Sequence, residues 1–421
     1  MTLLDCDSAL AAHGRPQTRH MIDVSALSVE RGTARLIEHA AQMGASDLFF
    51  VANEGHMAVQ VRHLGMMRLI STLTLEEGRK YLSHIRASAH MDITERRRPA
   101  DGRWIFRPES GEDIDLRINT MPTLHGEDVA LRLIRRDTGL LSLDNLGMTA
   151  QQLQNYGSML ESPSGLILVC GPTGSGKTTT LYASLAKLND GRRKIHTIED
   201  PIEHAIDGLR QSQVNPAVDV GFSELLRSVL RQAPDVIMLG EIRDPQTAQI
   251  AVHAANAGVM VLATVHAPSA AGAIQSMRAL GVNSHFLATA FRGAIAQRLV
   301  RTLCPDCSIS FDLTEAPHTF DDVRPWLEPG KGNRLFASQG CPACAMTGYA
   351  ARTGVFEVMC ASRAIRNLIS DSRPTREVRA KAIEEKMLEF RQAALLKVAR
   401  GQTSTEEVFR VIPTEHLMLD D

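Results

Sequence analysis

No apolar run in this 421-residue sequence approaches the ~20 residues that cross a bilayer, which excludes membrane-spanning helices from its reading. Residues 1–19 lack the apolar core of a secretory leader, because Asp5, Asp7, His13 and Arg15 interrupt them. There is no low-complexity tract and no internal repeat, so neither a disordered linker protein nor a solenoid is expected. Neither sign of charge dominates: the formal net charge is −2, no overall basic field draws nucleic acid, and no direct nucleic-acid partner is expected. Cysteine is scarce. Of the seven present, four fall in two C-x-x-C pairs, a pattern of metal ligation in a reducing cytosol rather than of a disulfide framework. A cytoplasmic location follows as the expectation. What is present is ordinary for a globular protein, with 44% hydrophobic and 22% charged residues, in a chain long enough for about three domains.

Residues 1–30 carry weak periodicity and read as a lead-in. The spacing predicts a helix over Gly32–Met43, short strands at Asp47–Ala52 and Ala58–Arg62, and an amphipathic helix over Leu75–His90. Further strands are expected at Arg103–Arg107, Asp113–Asn119 and Glu127–Leu133, making 31–135 an α+β domain. Residues 136–148 read as a linker whose second half packs onto the next domain. From Ser164 the pattern becomes β-α-β-α, with near-continuous apolar strands at 166–170, 194–198, 236–240 and 259–265. Such runs indicate a parallel sheet covered on both faces, in an α/β domain over 149–303. A cysteine element follows at 304–362 and a helical C-terminal part at 363–421.

The chain is organised around Gly171, Pro172, Thr173, Gly174, Ser175, Gly176, Lys177 and Thr178, with Thr179 next. This glycine-rich turn follows the apolar strand Gly165–Cys170 and opens a helix, the context that a phosphate-binding loop requires. Its backbone N–H groups can turn inward around phosphate oxygens, Lys177 can reach the β- and γ-phosphates, and the Thr178 hydroxyl suits Mg²⁺. A bound nucleoside triphosphate is the expectation.

Three other strands end in chemistry-bearing residues. The run Val236–Leu239 leads to Gly240 and Glu241, where a carboxylate beside a phosphate loop can orient or deprotonate an attacking water. The segment His196–Glu203 places Glu199, Asp200 and Glu203 within five positions, a density of like charge that suits Mg²⁺ or else a plain Asp-Pro turn. The run Val259–Val265 ends in His266. In a parallel sheet these ends share the C-terminal edge, where ligands bind. Arg117, Arg132 and Arg135 lie on strands of the first domain, either as solvated strand faces or as arginine fingers to a neighbouring subunit's triphosphate; spacing does not decide between them.

Cys304, Cys307, Cys341 and Cys344 form two knuckles whose four thiolates suit tetrahedral Zn²⁺, with redox dithiols the weaker alternative. The loop Glu328–Ser338 between them shows little core of its own, so a structural metal would fix it. Cys6, Cys170 and Cys360 stand outside this scheme.

Together these segments resemble the secretion and pilus-assembly ATPase superfamily, specifically the type II secretion and type IV pilus extension motors, from about Ala34 to Val411. Gly171–Tyr182 corresponds to Walker A, Ile198–Glu203 to the aspartate box, Gly240–Asp244 to Walker B and Leu262–His266 to the histidine box. Glu95–Arg103, Leu140–Met148 and Cys341–Glu357 are also family-like. The resemblance implies a PAS-like domain joined to a RecA-like ATPase domain, in a ring-shaped homo-hexamer with ATP between the two domains. It implies Glu241 as the catalytic carboxylate, Glu199 as an assistant at Mg²⁺ and water, His266 as a nucleotide sensor, and Arg117 and Arg132 as phosphate-reaching arginines. Turnover would drive an inner-membrane platform protein, leaving this chain peripheral to the membrane. The tetracysteine zinc element marks extension and secretion members rather than retraction motors.

The sequence departs from that family in three places. About 30 residues precede the PAS-like domain, where family members often carry a large docking module. Ser46–Ala52 reads SDLFFVA in place of an SDIHIEP-like segment, and Ala267-Pro268-Ser269 follows His266 where Thr-Asn-Asp is common. A conjugation or DNA-uptake motor, and an ATP-binding scaffold without turnover, are the alternatives.

Overall fold

The computed structural model describes residues 21–109, 111–135 and 142–417. Residues 136–141 of the linker expected at 136–148, most of the lead-in, and Cys6 therefore lie outside the described residues. The chain divides into two compact units, 1–138 and 139–421.

The described residues of the first unit form an antiparallel sheet with two helices. Its elements are α1 (Val29–Gln42), β1 (Asp47–Ala52), β2 (Met57–His63), β3 (Met66–Leu73), α2 (Leu75–Ser88), β4 (Ala100–Phe106), β5 (Ile114–Thr123) and β6 (Gly126–Arg135). Two three-stranded meanders join through β1 and β6, giving the order β3-β2-β1-β6-β5-β4. Leu36 and Ile37 of α1 and Leu82 and Ile85 of α2 pack with Leu48, Phe50, Leu116 and Leu131 of the strands. Thr74 and Glu77 start α2 with a reciprocal capping box, which satisfies two N–H groups that the helix leaves open. The strand β3 escaped the sequence reading because Met66, Met67 and Leu69 at its outer end face solvent, so no alternation marks it.

In the second unit a mixed sheet runs in the order β15-β12-β7-β11-β10-β8-β9. Its strands are β7 (Gly165–Cys170), β8 (Ile195–Glu199), β9 (Arg210–Gln213), β10 (Val236–Leu239), β11 (Met260–Val265), β12 (Phe291–Leu303) and β15 (Tyr349–Cys360). Six of them are parallel neighbours, as the apolar runs imply, and only β15 is antiparallel to its neighbour β12. Both faces are covered. Ile167 and Val169 of β7 pack toward α3 (Ala150–Leu160) and α4 (Lys177–Leu188). Leu166, Leu168 and Cys170 pack toward a larger core shared with α5 (Phe222–Leu230), α6 (Pro245–Asn256), α7 (Ala270–Ala279) and α8 (Ser284–Ala290).

The cysteine element is smaller than the sequence suggested. Tyr349–Cys360, assigned above to that element, instead forms an edge strand paired with β12 along its length. Within Glu328–Ser338 only Leu335 packs, partly buried, against the main core, but the chain ahead of that loop contributes core of its own. Phe320 and Val323 are buried in the main cluster, and β13 (Ile309–Asp312) pairs with β14 (Arg334–Ala337). After β15 the chain is helical, as expected: α9 (Arg363–Ser370), α10 (Thr375–Glu384), α11 (Phe390–Ala399) and α12 (Thr405–Val411).

Candidate active site

The phosphate loop is built by close backbone approach. Gly171 sits at φ +148°, and a Cβ there would lie 2.5 Å from Gln297 O and 2.6 Å from Ser175 Oγ, so a side chain cannot be accommodated. Gly176, at φ +89°, is the N-cap of α4 and offers no side-chain acceptor, which leaves the first-turn amides for an anionic ligand. Lys177 Nζ donates to Gly171 O and Pro172 O, each at 3.0 Å. Burial pulls this ammonium below its ordinary value, and the nearby Glu241 carboxylate opposes the shift. Thr178 Oγ1 lies 3.5 Å from Glu203 Oε1, so Glu203 is the carboxylate that reaches the opening of α4. Thr173, Gly174 and Thr179 are exposed, whereas Thr180 is buried and donates to Gln297 Oε1 at 2.8 Å.

The strand ends converge. Gly240 N donates to Ile198 O at 2.8 Å and Ile242 N to Thr264 O at 2.9 Å, so the Glu241 turn is clamped between the ends of β8 and β11. Glu241 Oε1 stands 2.5 Å from His266 Nε2, and Oε2 stands 2.5 Å from Arg243 Nη2. Burial raises the Glu241 carboxyl, but the Arg243 and His266 contacts outweigh it and hold the group below its ordinary value. Glu199 behaves differently. It is 3% exposed, with Oε2 accepting from the Tyr182 hydroxyl and Oε1 accepting from Thr197 Oγ1 at 2.5 Å and Gln211 Nε2 at 3.1 Å. Burial and the Glu199 carboxylate push the Tyr182 hydroxyl well above its ordinary value, which keeps it a donor.

In the first unit, Arg117 of β5 is the register partner of Arg132 of β6, and both share a sheet face with Asp47 and Arg103. Arg132 Nε donates to Asp47 Oδ1 at 3.2 Å, and Arg103 makes a two-pronged bond to Asp115 at 2.9 and 2.7 Å.

The four cysteines meet. Their Sγ atoms all lie within 4.8 Å of one another, with Cys304–Cys341 at 3.9 Å, Cys307–Cys344 at 3.7 Å and Cys341–Cys344 at 3.8 Å. Sulfurs placed ~2.3 Å from one ion in a tetrahedron stand about 3.8 Å apart, so the cluster fits Zn²⁺. Burial raises the Cys344 thiol, yet the Cys341 and Gly348 amides outweigh it and hold it at about 6, the thiolate a metal needs.

A family model described as type II/IV secretion system protein matches residues 24–410. The chain belongs to that family. The type II secretion system ATPase E of Vibrio cholerae is 41% identical over 376 residues, covering 89% of this chain and 74% of the relative. Type II secretion system protein E of Dickeya dadantii is 39% identical over 381 residues, covering 90% and 75%. Among solved structures, the Legionella pneumophila ATPase DotB superposes with a TM-score of 0.68 at 21% identity, covering 92% of this chain and 97% of that one. That likeness shows the fold, and the parallel-sheet unit is RecA-like.

Several residues of the family site were not singled out from the sequence. Gln297 holds the loop and its helix at once, donating to Ser175 O at 2.7 Å while accepting from Thr180. Tyr182 and Gln211 hold Glu199, and Arg243 holds Glu241. The available signal for Gln297 was a polar Gln-Arg pair inside the otherwise apolar run Ala294–Val300.

Proposed function

We infer that this chain hydrolyses ATP as the motor of a secretion or pilus-assembly machine, with protein secretion favoured by relatives named type II secretion system protein E. The observation that carries the reading is a half-buried carboxylate, Glu241, fixed between Arg243 and His266 and electrostatically coupled to the phosphate-loop lysine. The loop amides and Lys177 would bind the β- and γ-phosphates, and Thr178 with Glu203, 3.5 Å apart, would hold the Mg²⁺ that accompanies the triphosphate. That ion neutralises charge on the phosphates when bound. Glu241, ionised at neutral pH, accepts the proton of the attacking water, and His266, in contact with its Oε1, stands where a sensor of the γ-phosphate would act. Glu199 acts from behind, as a positioning carboxylate for Tyr182 and the Glu203 turn, because its oxygens already have three protein donors.

Zn²⁺ held by Cys304, Cys307, Cys341 and Cys344 serves a structural role in this reading. We further propose a homo-hexamer in which Arg117 and Arg132 complete the phosphate site, docked in the cytoplasm on an inner-membrane platform protein. Among the described residues no helix is long and apolar enough to cross a membrane. The test is steady-state phosphate release by the purified chain and its Lys177→Ala variant. Mg²⁺-dependent release that the variant lacks supports the motor; tight nucleotide binding without release by either protein supports the scaffold alternative instead.

A further inference from the structure

Adjacent residues of β12 serve opposite faces of the sheet. Gln297 grips the phosphate loop, as described above. Arg298 turns the other way: its guanidinium donates to Gln297 O at 3.1 Å and to Pro268 O at 2.9 Å, two residues beyond His266. The same group lies 4.8 Å from the ring centroid of Phe390, the first residue of α11. One strand over, on β15, Glu357 is 4% exposed. Its Oε2 accepts from Ala270 N at 2.9 Å and its Oε1 from Phe390 N at 3.2 Å. Ala270 opens α7 and Phe390 opens α11, so one buried carboxylate caps two helix starts that lie 120 residues apart. Cys170, the last residue of the strand that leads into the phosphate loop, donates from Sγ to Ser269 O at 3.3 Å.

Burying a carboxylate and a guanidinium is costly unless each is fully bonded, and an apolar pair would have filled this space more cheaply. Helix N-termini carry partial positive charge, which suits the carboxylate and fixes its position at both ends. The segment tied down in this way is the turn Ala267–Ala270, directly behind His266. A shift of α11 pulls on Phe390, and through Glu357 and Arg298 on that turn.

We propose that Glu357 and Arg298 are positioning residues for hydrolysis: they lock the turn after His266 to the start of α11, so that the placement of His266 against Glu241 depends on the C-terminal helices. This rests on the reading of the chain as an ATPase. It gives the C-terminal helices, which carry no phosphate-binding residue, a route to the reacting centre. The tie touches the root of the phosphate loop only through Cys170 Sγ on Ser269 O and Arg298 on Gln297 O, while the Gln297 side chain holds the loop itself from the other face.

The experiment compares the full-length protein with its Glu357→Gln, Arg298→Lys and Phe390→Leu variants. It measures kcat and KM for ATP together with amide exchange over residues 266–272 and 388–394. A Gln at 357 keeps the shape but turns its amide NH₂, a donor, toward one of the two N–H groups, and a Lys at 298 loses the planar fork and the ring contact. We expect kcat to fall about tenfold or more, with KM within about threefold, because a misplaced reacting group costs rate more than binding. Exchange should quicken at both helix starts together in Glu357→Gln. Unchanged kcat in the variants that fold overturns the proposal, as does faster exchange confined to α11. If the parent protein itself shows no turnover, the ATPase reading fails separately, and exchange at the two helix starts still decides whether the tie exists.

Discussion

Glu241 and Glu199 are both carboxylates at strand ends, yet their surroundings divide the work between them. Glu241 meets two basic groups on a side open to the phosphate loop, while Glu199 is closed in by three donors. Glu241→Gln should therefore still bind nucleotide but release phosphate about 10²- to 10³-fold more slowly. Near-parental release would remove Glu241 from the base role. Lys397 makes a second prediction. Its Nζ donates to Gly147 O at 2.7 Å and Thr353 Oγ1 at 3.1 Å, and burial pulls the ammonium down to about 8 from 10.5. Since the folded value is the lower one, the unfolded chain binds more protons between those pH values, and stability rises as pH climbs through them. The parent should gain about 3 kcal/mol relative to Lys397→Met over that window, read from urea midpoints; a constant difference would mean that Lys397 is not buried as described.

What could be read from the sequence follows element type. The strands β7, β10 and β11 were visible because each is a short apolar run, and a strand buried on both faces needs nothing else; β8, Ile-His-Thr-Ile-Glu, is buried too but only its two isoleucines mark it. The phosphate loop was visible because all of its chemistry is contiguous. By contrast β12 and β15 carry Gln297, Arg298 and Glu357 in their interiors, and these polar residues break the run that would have marked a strand. Their partners across the fold lie 30 to 122 residues away, from Pro268 for Arg298 to Ser175 for Gln297, so no local pattern could disclose them. The cysteine element falls between. Its ligands were legible from spacing, but Phe320 and Val323 were not recognised as core, since they pack on helices that come later in the chain. Replacing Cys304 and Cys341 with Ser should release one zinc per chain and quicken amide exchange across 304–348, with local destabilisation on the order of 10 kcal/mol. Metal analysis that finds no zinc in the parent would end this assignment.

The whole chain holds its binding loop and its arginine row in different compact units, each with its own core. If turnover needs both, and the arginines come from a neighbouring copy, specific activity should climb with protein concentration in step with the mass seen by light scattering. Arg117→Ala should assemble normally and lose most of that activity. Activity that stays flat across the assembly range would detach Arg117 from the site.

The same topology bears on how such a chain can change over time. Leu303 and Tyr349 are register partners, and Cys304 N donates to Gly348 O at 2.8 Å, so the cysteine element leaves and re-enters the sheet at one point. In the logic of the sheet, everything from Cys304 to Gly348 is a single hairpin loop. A shorter turn in its place would leave the strand register intact and Gln297 where it stands. A chain that trades the metal-bearing lobe for a short turn keeps its strand register but must refit the face of α11 on which Phe320 and Val323 pack.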